Sequence, residues 1–190
     1  MAGSLADGTS FSESAPVSNN GFWPVYVPLY SGKGALIGWL AFTNRADDDI
    51  SGTVDWIKPA DARARTYSAG FSEQIPAIGS AYHKPPGTNH VLDLNNAFVA
   101  FLGGNLSSAF TNNVTMSKSG RLTNQSANRL ILSFSPANGK FSGSVTDPAG
   151  GKPMPFSGVA FQRRNSAFGF LLSNGQSSEV VITPQTAPPQ

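Results

Sequence analysis

Few residues of this chain have the type and spacing needed for catalysis. Cysteine is absent, which excludes thiolate nucleophiles, disulfides and cysteine-ligated metals. The two histidines, His83 and His90, flank the segment KPPGTN, and Asp93 is the nearby acid that could join them at a metal. A metal site built on two histidines would need a third ligand, and Asp93 is the only acid near them in the sequence. The sequence therefore favours loop histidines over a metal site.

Short catalytic motifs are also missing. The chain has no G-x-S-x-G, no H-E-x-x-H and no complete Walker loop. Its 11 acidic residues include no pair in a context typical of glycoside hydrolysis, and no serine is marked as a triad nucleophile. The run Asp47–Asp49 could offer oxygens to Ca²⁺, but adjacent acids on an extended loop point apart, which favours solvated turn residues. We predict a non-enzymatic protein without cofactor or metal.

Aromatic side chains offer the clearest binding chemistry. The stretch FWPVYVPLY alternates with the period of a β-strand. Its predicted inward face carries Trp23, Val25, Val27 and Leu29, and its outward face carries Phe22, Tyr26 and Tyr30. Successive outward rings would lie about 13 Å apart. Rings on a flat β face can stack on sugar rings, so these three residues are the candidate ligand-binding site, unless another part of the protein covers them.

Two prolines in this stretch indicate where its strand lies. Pro24 and Pro28 are four residues apart, so both missing N–H donors fall on the same lateral side of the strand. The other side can still form a complete ladder. This pattern predicts an edge strand whose free margin cannot pair with another strand.

Composition predicts that the elements around this strand are also β. The chain has 20 Gly, 14 Pro and 13 Phe, and its apolar runs are short. Alternation recurs in FSGSVT and ISGTVDW, and no stretch keeps a helical period. We predict an all-β fold of twelve to fifteen short antiparallel strands in a barrel or a sandwich. Trp39 and Trp56 have apolar neighbours and are predicted to pack inside.

An internal repeat is the main organisational feature. ISGTVDWIKP matches FSGSVTDPAG, TYSAGF matches PFSGVAF, PAIGSAY matches SAFGFLL, and WLAFTN matches LILSFS. The order and offsets agree within about two residues, as in duplicated architectures. The matches predict two pseudo-symmetric halves in which Gly52 is equivalent to Gly143 and Gly79 to Gly169.

This repeat gives the predicted domain organisation. Residues 1–8 are a disordered or linker N-terminus, 9–83 the first β half and 84–96 a connecting loop. Residues 97–183 are the second half, and 184–190 a Pro-rich linker stub. The two ends together suggest a module taken from a longer chain.

The charge and hydropathy of the chain limit which partners and which cellular location are expected for the protein. Net charge is +2, and the Lys and Arg residues are scattered without an aromatic-interleaved basic stripe, so nucleic acid is not expected. No apolar run reaches the 18 residues of a membrane helix, so membrane insertion is not expected either. Only 13% of residues are charged, below the ~25% of average globular proteins. A low charge with abundant Ser, Thr, Asn and Gly suits a secreted or cell-surface protein, and we expect a monomer.

Most of the chain resembles a known type of domain. The runs FSGSVTDPAGGKPMPFSGVAFQRRNSAFGFLL and LYSGKGALIGWLAFTN are similar to uncharacterised cysteine-free β modules. Such modules recur in very large secreted or surface proteins of environmental bacteria, often beside Ig-like or lectin-like repeats. The resemblance implies an exported accessory role and carries no functional residues.

Two functions are consistent with these features. One is a non-catalytic module that binds polysaccharide through Phe22, Tyr26 and Tyr30. The other is a structural or adhesive spacer of a cell-surface protein, without a small ligand, which packs against neighbouring domains of the same chain.

Overall fold

A computed structural model describes residues 1–87, 90–117 and 121–185. Within these residues the chain is almost entirely β, and every ladder is antiparallel. The prediction of an all-β fold is confirmed. The only helical segments in these ranges are two 3-10 turns, and neither is long and apolar enough to cross a membrane. The chain divides into two compact units, residues 1–81 and 82–190.

Unit 1 consists of a four-stranded meander and a short hairpin. The hairpin strands are β1 (Ala2–Ser4) and β2 (Ser10–Ser12); the meander strands are β3 (Phe22–Leu29), β4 (Gly34–Phe42), β5 (Ile50–Lys58) and β6 (Phe71–Gly79). The meander runs in the order β3-β4-β5-β6, so β3 lies at its edge, as its prolines predict. Residues 1–8 were expected to be disordered or a linker; instead they form β1 and the turn that follows it.

The core of unit 1 lies on one face of the meander. Val25, Val27 and Leu29 of β3 are buried there, as their alternation predicts, together with Leu36, Leu40, Val54 and Trp56. Leu5, Ala6 and Phe11 from the hairpin region pack against this cluster. The hairpin region therefore supplies apolar side chains to the same core as the meander.

Unit 2 is a nearly closed eight-stranded barrel. Its strands are β7 (Asn96–Leu102), β8 (Phe110–Met116), β9 (Leu122–Asn124), β10 (Leu130–Phe134), β11 (Lys140–Val145), β12 (Met154–Phe161), β13 (Ser166–Ser173) and β14 (Gln176–Pro184). The spatial order is β10-β11-β12-β13-β14-β7-β8-β9. Of the barrel and sandwich alternatives, this unit forms a barrel.

The barrel interior combines phenylalanine rings with glycines. The Phe141 ring lies so close to Gly158 and Gly169 that a Cβ added to either glycine would come within 2.7 Å of its Cζ. Phe141 also contacts Phe156, with ring centroids 6.2 Å apart. The inward glycines thus leave the space that large rings occupy at close packing.

The remaining gap in the barrel, between β9 and β10, is bridged by amides. Asn112, fully buried on β8, donates to the Oδ1 atoms of Asn124 and Asn128. Asn128 returns a hydrogen bond to Asn112 and donates another to the Thr146 carbonyl. Side-chain amides therefore fix the β9–β10 loop at the gap.

One end of the barrel is plugged by residues from the predicted connecting loop. Val91, Leu92 and Leu94 belong to the barrel core. The turn after β12 holds this segment, since Asn165 exchanges two hydrogen bonds with the backbone of Asp93 and Gln162 donates to the Val91 carbonyl. Val91, Leu92 and Leu94 of the predicted connecting loop therefore belong to the barrel core.

The predicted pseudo-symmetric repeat is not confirmed. The β4–β5 and β10–β11 hairpins are alike, since Gly52 pairs with Leu40 and Gly143 with Leu132. Beyond them the match fails. Gly79 ends β6 and pairs with Ile50, whereas Gly169 lies within β13 and pairs with Gly158. Gly79 and Gly169 therefore do not occupy equivalent positions, although similar glycine-containing strands surround both.

Candidate functional site

The outward face of the unit 1 meander carries the predicted aromatic site. Phe22 and Tyr26 are 50% and 59% exposed, so both point away from the core. Their orientation follows from the alternation that buries Val25 and Val27 on the other face.

Tyr30 does not join this face. The strand ends at Leu29, and Tyr30 and Ser31 adopt left-handed backbone angles (φ 53° and 58°) that break the alternation. The Tyr30 hydroxyl donates to Asp7 (2.8 Å) and accepts a hydrogen bond from the Trp56 indole (2.9 Å). The predicted outward position of Tyr30 is therefore wrong, because a turn replaces the strand at this residue.

Trp39, rather than Tyr30, is the third aromatic residue on the outward face. Its side chain is 61% exposed, so the prediction that it packs inside is wrong, whereas Trp56 is buried as predicted. In the ladder, Trp39 lies opposite Pro24 and is thus diagonal to both Phe22 and Tyr26. Diagonal side chains are about 7–8 Å apart. Phe22, Trp39 and Tyr26 together form what we call the aromatic row.

One signal in β4 could have identified Trp39. GALIGWLAF is apolar at both parities, so alternation alone does not choose the buried face. Gly34 and Gly38, however, share the parity of the buried Leu36 and Leu40. Because glycines in the other strands face inward, Gly34 and Gly38 indicate that the even-numbered residues of β4 face the core. The odd-numbered residues Ile37 and Trp39 then face outward.

Beside the aromatic row the face is almost uncharged. Across the sheet, Tyr26 is aligned with Ile37, Asp55 and Gln74. Asp55 is the only charged group among the outward residues of the four strands, and Gln74 donates to its carboxylate at 3.2 Å. The arrangement offers stacking surfaces next to a carboxylate–amide pair that can hydrogen-bond to hydroxyl groups.

The inner side of unit 1 holds a polar cluster, formed by Asp7, Tyr30, Trp56 and Lys58, which has a different role. Asp7 and Lys58 form a buried ion pair (3.0 Å), and the Lys58 ammonium lies 4.1 Å from the centre of the Tyr30 ring. Burial and the neighbouring Asp7 raise the pKa of Tyr30 to about 12, so its phenol stays protonated and donates to Asp7. These groups satisfy one another and hold the hairpin on the meander.

The acids considered for Ca²⁺ are used within the chain. Asp48 is buried and accepts from the Thr43 hydroxyl, while Asp49 accepts from the Ala81 backbone. Across the described ranges, no three His, Asp or Glu side chains lie close enough together to hold a metal ion.

Comparison with known proteins gives no match: no protein-family model, curated protein or solved structure is similar to the chain. The function must therefore be argued from the geometry of the site.

Proposed function

We propose that the protein is a non-catalytic module that binds polysaccharide through the aromatic row. The observation that carries this proposal is the exposure of Phe22, Tyr26 and Trp39 on one face of the same sheet. The C–H faces of pyranose rings stack on such side chains, and a row of rings suits successive sugars of a chain better than an isolated monosaccharide. A role in a secreted or cell-surface protein belongs to the same proposal.

The test is affinity electrophoresis of the full chain in gels that contain a panel of neutral and acidic polysaccharides. On a glycan that retards the protein, Trp39→Ala and Tyr26→Ala should each weaken binding by about 1 kcal/mol or more. Because both side chains are exposed, the melting temperatures of the two variants should barely differ from that of the unmodified chain. Tyr30→Phe is the matched control, since its ring is outside the row, and its retardation should equal that of the unmodified chain.

The spacer function remains a second candidate because of three isoleucines. Ile37, Ile57 and Ile78 are 39–45% exposed on the same face. A face that exposes isoleucines in addition to the aromatic row can also be covered by a neighbouring domain of the same chain. Two results together would favour the spacer and reject carbohydrate binding. The first is that no glycan retards the protein, and the second is that the full chain self-associates and Trp39→Ala abolishes this association.

A further inference from the structure

The two ends of the unit 2 barrel have different chemistry. Strand directions place Val91, Leu92 and Leu94 at the end where β12 turns into β13. The opposite end collects the loops that join β7 to β8, β9 to β10 and β11 to β12, and the tight turn between β13 and β14. The mouths of β-barrels are common places for ligand sites. We call this opposite end the loop end.

A cleft of about 520 Å³ lies at the loop end, within the size range of small-molecule sites. One wall carries Thr111, Ser126, Asn128 and Arg129. The other wall is the β11–β12 loop, including Pro148 and Pro153. The lining of the cleft thus combines residues that carry hydroxyl and guanidinium groups with two prolines.

Both walls are fixed by hydrogen bonds. Asp147 accepts from the Ser107 hydroxyl (2.7 Å), the Ser107 amide (3.3 Å) and the Ala149 amide (2.9 Å), which ties the β11–β12 loop to the β7–β8 loop. Asn128 is held by Asn112 and by the Thr146 carbonyl. The cleft is therefore formed before any ligand arrives, so binding would require little ordering.

Arg129 is the charged group available to a ligand. The cleft contains one cation, Arg129, and one anion, Asp147, whose carboxylate is occupied by the bonds to Ser107 and Ala149. Within the described parts of the chain, the exposed Arg129 guanidinium has no ion-pair partner. A guanidinium binds carboxylate through two parallel hydrogen bonds.

From these features we infer that the loop-end cleft binds a hydroxylated carboxylate, of which a uronic acid residue is the best-fitting class. Its carboxylate pairs with Arg129, its hydroxyls meet Thr111 and Ser126, and its C–H face rests on the proline rings. This site is separate from the aromatic row, and the inference does not depend on the proposed function of that row.

The experiment is titration of the full-length Trp39→Ala variant, so that the aromatic row cannot contribute. Galacturonate and galactose are the probes, because they share a ring and differ at one carboxylate. Galacturonate should shift the amide resonances of residues 126–129, 146–147 and 149–151, and galactose should bind at least several-fold more weakly. Arg129→Gln should weaken galacturonate binding by about ten-fold or more. Lys140→Gln, which removes an exposed cation at the plugged end, should have no effect.

Three results would each overturn the inference. They are an absence of binding by both galacturonate and glucuronate, binding that survives Arg129→Gln, and binding of acetate as strong as that of galacturonate. Acetate provides the charge without the hydroxyl groups, so equal binding would show an unspecific anion contact. Thr111→Val, a shape-conserving change at an exposed position, should weaken galacturonate binding and leave acetate unaffected.

Discussion

Asp7 shows how one residue can fix the position of an element. Its side chain is 1% exposed and pairs with Lys58, also buried, at 3.0 Å. Removing one member of a buried ion pair leaves an uncompensated charge and costs about 3–5 kcal/mol. The Asp7 carboxylate also accepts hydrogen bonds from Tyr30 and the Thr9 amide. The attachment of the β1–β2 hairpin to the meander therefore depends on the ionisation of Asp7.

The stability of unit 1 should depend on pH through this residue. Burial alone would raise the pKa of Asp7, but hydrogen bonds from the Thr9 amide, Lys58 and Tyr30 outweigh it and hold the pKa below the usual 3.8. A lowered pKa stabilises the fold above the pKa of the unfolded chain, and this stabilisation is lost as the pH falls through the folded value. We expect the melting temperature of unit 1 to decrease below about pH 4.

Thermal melts of the full chain and of Asp7→Asn, recorded from acid to neutral pH, test this dependence. The variant should melt lower at neutral pH, and the difference between the two proteins should shrink as the pH falls. A difference that stays constant across the titration would show that the Asp7 charge does not contribute.

The strand β3 illustrates how an element can be limited in its pairing. It is the edge of the four-stranded sheet, and Pro24 and Pro28 cannot donate from its free margin. Its inner face is packed, while its outer face carries Phe22 and Tyr26 of the aromatic row. Without the prolines, an apolar edge of eight residues would be a template for strand addition.

Replacing both prolines with valine should therefore promote association. The double variant Pro24→Val/Pro28→Val regains two N–H donors along the free edge and should remain folded, because the ladder to β4 is unchanged. Light scattering over a concentration series should show larger species than for the unmodified chain. Ala41→Val on β4, an inner strand that is paired on both sides, is a control for added β-propensity alone. If the double variant stays as dispersed as this control, the prolines have no protective role.

At the scale of the whole molecule, each unit has its own hydrophobic cluster. One cluster draws its residues from 1–81 and the other from 82–190. The barrel cluster is larger and includes Phe156, whose ring contacts those of Phe101 and Phe141. Stability rises with the apolar area that a unit removes from water, so the barrel should be the more stable unit.

The fragment 82–190 should therefore fold alone and unfold cooperatively. Within it, Phe141→Ala should cost about 3–5 kcal/mol, since the ring is buried against Gly158 and Gly169. Ser142→Ala changes the neighbouring exposed residue and should be nearly silent. Urea denaturation measures both effects. A fragment without a cooperative transition, or equal effects at positions 141 and 142, would contradict this account of the barrel core.

The sequence by itself determined the features that depend on local chemistry. Short alternating runs separated by Gly and Pro indicated an all-β fold, and two prolines at even spacing indicated the edge position of β3. The same alternation placed Phe22 and Tyr26 outside. Each of these features follows from backbone geometry that a residue imposes on its own strand.

Tertiary structure decided the rest. Trp39 lies in a strand that is apolar on both faces, and its outward orientation follows from the inner side of the sheet, where Gly38 pairs with Val25 and Val54. Tyr30 continues the sequence alternation, yet Asp7, 23 residues earlier, binds its hydroxyl on the inner side of unit 1. The loop-end cleft joins residues from β8 and two separate loops. Such features depend on contacts between residues distant along the chain, and local alternation does not encode them.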